Sequence, residues 1–247
     1  MSIYEYNREK HVTFPLLGKF GRFGNQLFQI AATIAHARRL NLEARFPVGT
    51  WRSEFQHFGL NSRNFMIDPI GWIYIWEEEI DPAPWNFEPI PDYVRALCGY
   101  YQSPRYWYGE CPLRLLVEGE AIPLVSHVRR GDYLKVPDHH PPLPDRYYID
   151  AAYSHGCGVE VGEESLNIPG WEHRNGTLWE DFVTLCRAET LIISNSSFAL
   201  WAAYLGRARR VYYPVPWFGP ALQNHNASQL IPDSKEKEWT PVEWMKG

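Results

Sequence analysis

Cysteine is scarce. The 247 residues hold four, Cys98, Cys111, Cys157 and Cys186, and no two stand at the short spacing of a zinc or thiol-redox pair. Buried free thiols are the plain reading. Positive charge is not in excess either: 24 Lys and Arg face 29 Asp and Glu, a formal net charge of -5. No broad electropositive field is left to hold a polynucleotide backbone, which argues against a nucleic acid partner. A small phosphate-bearing ligand needs only a few placed donors and stays allowed. The opening stretch, Met1 to Lys10, has neither the apolar core of a signal peptide nor a membrane anchor. The expectation is a chain without a transmembrane segment, located in the cytoplasm. The Asn-x-Ser/Thr matches at Asn175, Asn195 and Asn226 carry no meaning without secretion. No internal repeat or low-complexity tract is present.

Hydrophobic residues at 45% and charged residues at 21% describe an ordinary globular chain, long enough for one large domain or two compact lobes. Aromatic residues reach 15%, with 11 Trp. Such rings either close a core or offer flat faces with a polar handle to sugar rings. The rhythm at both ends of the chain is strand, tight glycine or serine turn, helix, which indicates an α/β fold. Val12 to Leu17 reads as a strand, Gln26 to Leu40 as an amphipathic helix, and Leu42 to Phe46 as the next strand. From about Phe46 to Pro91 no period is sustained, and Trp72, Trp76 and Trp85 there suit either a core or an acceptor cleft. Further on, Pro123 to Val128 reads as a strand, Tyr147 to Tyr153 and Leu178 to Ala188 as helices, Thr190 to Ser194 as a strand, Ser197 to Leu205 as a helix and Arg210 to Tyr213 as a strand. Gly156 to Gly176 carries no clear pattern.

Three constellations sit on these turns. Gly21-Arg22-Phe23-Gly24-Asn25-Gln26 occupies a strand-to-helix turn. Its glycines let backbone approach a ligand, and a helix N-terminus offers free amides to an anion. His127-Val128-Arg129-Arg130-Gly131-Asp132-Tyr133 sits on a strand end, where open α/β sheets bind ligands. Adjacent arginines repel, so either a diphosphate arrives to neutralise them or an Arg-Asp pair closes the loop. His127 is either a core histidine or a ligand contact. Ser194-Asn195-Ser196-Ser197-Phe198 leads into a helix, where hydroxyls can cap the helix and face a phosphate with one geometry.

Together these motifs resemble the α-1,2-fucosyltransferase family, itself related to the α-1,6- and protein O-fucosyltransferases. The matching residues are Gly21 to Gln26, then His127, Arg129, Arg130 and Asp132, then Ser194 to Phe198 with Trp201-Ala202-Ala203. Gly99-Tyr100-Tyr101-Gln102-Ser103 and Pro216-Trp217-Phe218 agree in order, so the resemblance runs from about Gly21 to Phe218. It implies a GT-B-type architecture of two Rossmann-like lobes with the donor in the cleft: residues 1–118 as the acceptor-side lobe, 119–222 as the nucleotide-sugar lobe, and 223–247 as a tail folding back on the first lobe through Trp239 and Trp244. It also implies inverting, metal-independent transfer of L-fucose from GDP-fucose, a donor substrate and not a resident cofactor, to a galactose-terminated glycan. No Asp-x-Asp pair of the manganese-carrying kind occurs in the sequence. Carried over position by position, Arg129 would neutralise the leaving diphosphate, while Arg130 would support it or pair with Asp132. Asn195, Ser196, Ser197 and the Phe198 amide would hold phosphate. Arg22, Gly24 and Asn25 would serve from the other lobe, with His127 near the guanosine. Asp138 and His139 are the candidates for the base that takes the acceptor proton. Between Tyr148 and Asp181, where the family has a further strand, only a contracted glycine-bearing stretch is legible. The nucleotide lobe is therefore expected to be contracted, and Glu163, Glu164 and Asp181 are the carboxylates from which one could contact the guanine base of the donor. Two other readings stay open: a different nucleotide-sugar donor, or a non-catalytic nucleotide- or glycan-binding remnant.

Overall fold

The computed structural model describes residues 10–66, 86–153, 155–233 and 236–245. Trp72, Trp76 and Trp85 lie outside them. The chain divides into two compact units, 1–115 with 228–232 and 116–227 with 233–247.

In the first unit, β1 (His11–Thr13) and β2 (Glu43–Arg45) pair in parallel, joined by α1 (Phe23–Arg39). The strand expected to run to Leu17 stops at Thr13, because the backbone turns there: Leu17 N bonds to Phe14 O and Lys19 N to Leu16 O. The helical spacing of Leu27, Ile30 and Ala31 places them in the core, all fully buried. Arg38 and Arg39 occupy the last turn, where cations meet the negative end of the helix dipole. Arg39 also donates to Ile90 O at 2.7 Å and pairs with Asp92. Phe46, Phe55 and Phe65 form the aromatic part of the core, with Phe55 stacked between Phe23 at 6.0 Å and Phe65 at 5.6 Å.

The second unit is a mixed α/β body built on a six-stranded, all-parallel sheet. Its elements run β3 (Ile122–His127), α2 (Asp145–Ala152), β4 (Val159–Val161), β5 (Glu172–Arg174), α3 (Leu178–Cys186), β6 (Ala188–Ile192), α4 (Ser197–Leu205), β7 (Arg210–Val215) and β8 (Glu238–Glu243). The order across the sheet is β5-β4-β3-β6-β7-β8. The side-chain alternation of each strand divides the core between two faces. Leu124 and Ile192 pack with Tyr147, Tyr148 and Ala151 of α2 on one face. His127 faces Phe198 of α4 on the other, and Phe198 meets Phe182 of α3 edge-on at 5.3 Å.

Two expectations are corrected here. The stretch 156–176, in which no strand was legible, supplies β4 and β5 and widens the sheet. Their brevity and their polar residues Glu160, Glu172 and His173 hide them from any periodicity argument. Trp239 and Trp244, expected to anchor a tail folded back on the first lobe, belong to the second unit instead: Trp239 lies on β8 opposite Val211, and Trp244 Nε1 donates to Pro216 O at 2.8 Å. Only residues 228–232 of the tail join the first unit, where Gln229 accepts from Phe87 N at 2.7 Å and from Ser103 Oγ at 3.0 Å.

Candidate functional site

The strand order dictates where the second unit can hold a ligand. From β3 the chain moves outward through β4 to β5, then returns to place β6 on the other side of β3 before moving out through β7 and β8. The loops after β3 and β6 therefore leave the sheet in opposite directions, opening a crevice at the carboxyl ends of two adjacent strands. The Arg129-Arg130 loop follows β3 and the Ser194–Ser197 turn follows β6. Two of the three motifs thus meet at the topological switch point.

The first of these loops turns at once into a short 3-10 helix, Gly131–Lys135, which brings Asp132 back under Arg129. Arg129 Nη2 bonds to Asp132 Oδ1, while Nη1 lies 3.7 Å from Glu163. The guanidinium sits 5.3 Å from the centre of the Tyr133 ring. Arg130 does not take Asp132: its Nη2 bonds to Asp145 at the start of α2, and its Nη1 lies 3.7 Å from Glu164. Of the two arginines the sequence offered to Asp132, Arg129 is the one paired. Tyr133, the last residue of the arginine motif, donates through its hydroxyl to Asn195 O at 3.1 Å and stacks on His140.

The second turn is built on caps and ties. Ser196 is the N-cap of α4 and accepts from Phe198 N at 3.3 Å. Ser197 opens the helix and is half-buried. Asn195 is 2% exposed, and its Nδ2 donates to Pro141 O at 2.9 Å and to Trp217 O at 3.2 Å. That amide fastens three loops of the rim together. Asp138 and His139 have exposed side chains, and their carbonyls accept from Ala221 N and Gly219 N.

His127 ends β3 and is buried, with Nδ1 hydrogen-bonded to Ser194 Oγ at 2.7 Å and its ring 5.7 Å from Phe198. The imidazole thus joins the ends of β3 and β6, the two strands that carry the motifs. Burial, with the neighbouring Arg129 charge as a second cause, lowers its pKa to about 3, so the ring is neutral at physiological pH. His36, buried in the first unit with Nε2 3.0 Å from Val94 O, is lowered to about 4 by burial. Both rings take up protons in the unfolded chain below its pKa of about 6.5 but not in the folded one. Stability is therefore fully present above about 6.5 and is lost as pH falls from there toward 3 to 4. By linkage each ring removes on the order of 2 kcal/mol between pH 7 and pH 5. Chemical denaturation at the two pH values checks this, and a flat profile would contradict neutral burial.

The first unit carries the remaining motif. Gly21 holds a left-handed φ of 80°, and a Cβ there would stand 1.9 Å from Asn25 Nδ2, so only glycine lets Asn25 fold over the turn. Asn25 Oδ1 accepts from Gln102 Nε2 at 2.7 Å, linking the turn to the Gly99–Ser103 segment. Arg22 is exposed at the N-cap of α1 without a side-chain capping bond, no acidic residue occupies the first turn, and Gly24 is buried within it. A helix N-terminus without acidic residues is of the kind that favours an anion. Among the described residues no group of three or more His, Cys, Asp or Glu is placed to hold a metal ion, and no helix is long and apolar enough to cross a membrane. No family model matches the chain, and neither a curated protein nor a solved structure matches it.

Proposed function

We propose that the protein is a glycosyltransferase that takes L-fucose from GDP-fucose and delivers it, with inversion and without a metal, to a hydroxyl of a β-galactoside, O2 being the expected position. One observation carries most weight: the arginine pair and the serine-capped helix end emerge from adjacent strands at the switch point of a parallel sheet, the place where such sheets bind nucleotides. The motif resemblance supplies the donor and acceptor classes. As the C1-O bond of the donor breaks, negative charge gathers on the departing diphosphate. The Arg129 guanidinium and the amides at the start of α4 are the groups to stabilise it. The acceptor oxygen forms the new bond to C1 and gives up its proton to a base, for which Asp138 and His139 are the candidates.

Thermal denaturation with ligands tests the reading. GDP at a hundredfold above its Kd adds about 2.7 kcal/mol to the stability of the folded chain, a rise in Tm that UDP does not match. A shift with UDP alone assigns another donor, and a shift with a β-galactoside alone assigns a binding protein. Transfer from labelled GDP-fucose to a panel of β-galactosides is expected to survive EDTA. Activity lost to the chelator and restored by manganese would sink the metal-free mechanism.

A further inference from the structure

The two arginines of the switch point do not stand as bare cations. Each guanidinium divides its nitrogens in the same way: Nη2 is hydrogen-bonded to a nearby aspartate, Asp132 or Asp145, and Nη1 faces a glutamate, Glu163 or Glu164, at 3.7 Å. The aspartate contacts are direct, whereas at 3.7 Å the glutamates are held by charge alone, beyond hydrogen-bond range. The Nη1 sides are consequently the ones an incoming anion can take, and the glutamates already occupy that direction.

The chain holds the glutamates there on a short tether. They follow β4, and immediately beyond them Leu166 N donates to Glu160 at 3.0 Å, with Ser165 Oγ also bonded to it. Glu160 is 1% exposed, and His173 of β5 stands 3.4 Å from it. On the facing loop, Gly131 makes room: a Cβ at this residue would lie 2.3 Å from Glu163 Oε2. Glu163 and Glu164 keep 59% and 50% of their side-chain surface in solvent, so both can swing away without leaving a buried charge.

We infer that Glu163 and Glu164 are an internal competitor for the anion site, sitting against Arg129 and Arg130 until a diphosphate displaces them. This rests on the reading that these arginines receive a diphosphate, and it adds a regulation to that site: apparent affinity is lowered by the fraction of molecules in which the glutamates are home. The tether keeps their local concentration high whatever the solution holds.

The experiment is titration calorimetry of the full chain with GDP and, separately, inorganic pyrophosphate. It compares the wild type with Glu163→Gln/Glu164→Gln and with a control, Glu172→Gln/Glu238→Gln. The control removes the same charge from two exposed arginine-paired positions elsewhere on the second unit. The first variant is expected to bind both probes about 3- to 10-fold more tightly, the range two exposed ion pairs provide, and the control to stay within about twofold of wild type by the same reasoning. Equal affinity in wild type and first variant overturns the competition while leaving the anion site standing. Equal tightening in the control assigns the effect to overall charge and overturns it too. If no protein binds either probe, the anion-site reading fails, and the inference with it.

Discussion

Replacing Arg129 by alanine is expected to lower the rate of fucosyl transfer a hundredfold or more, the size of effect seen when one fixed donor to a developing anion is lost. The fold should survive. The side chain is 18% exposed, and its partners Asp132 and Glu163 are 38% and 59% exposed, so no buried charge is stranded. Arg129→Lys is expected to fail nearly as badly, because a single ammonium cannot hold Asp132 and a phosphate oxygen along two fixed directions. Steady-state rates alongside an unfolding curve make the test. Turnover retained by a folded Arg129→Ala protein would remove this residue from the mechanism.

The second large effect is on stability. Trp201 belongs to the same sequence block as Ser196 and Ser197, yet it is a core residue, fully buried on α4 with Tyr204 edge-on at 5.5 Å. Trp201→Ala deletes the largest side chain from a closed interior and is expected to cost about 3–5 kcal/mol in urea unfolding. Measured where the variant is still folded, its affinity for GDP should be unchanged. A cost below about 1 kcal/mol would mean the residue is not the packing element that burial makes it.

These two residues also show what could be read from the chain itself. Ser197–Leu205 is legible as a helix to the residue, because a hydroxyl cap precedes an unbroken apolar run. The β3 and β6 strands are legible because both are apolar and end in turn chemistry. The missed strands lack that signature: β4 and β5 are three residues each, and β8 contains Pro241, which an edge strand accepts but a pattern search rejects. Within the site, the arginine motif was visible together with Asp132, but its other partners were not. Asp145, Glu163 and Glu164 reach the guanidiniums only after α2 and β4 have folded the chain back, and nothing in local spacing encodes that. Asn195 and His127 illustrate a further limit: a polar residue in a binding motif and one that ties loops together look alike until their hydrogen bonds are known.

The position of β8 in the chain bears on how the second unit is made. Its partner β7 offers a full row of unpaired amides and carbonyls, flanked by Val211, Tyr212 and Tyr213, until residues 238–243 arrive. A chain cut short before residue 238 presents a sticky β-edge, the kind that recruits another strand. β8 therefore replaces the apolar edge of β7 by one that Glu238, Pro241 and Glu243 blunt, and a chain lacking it is expected to self-associate.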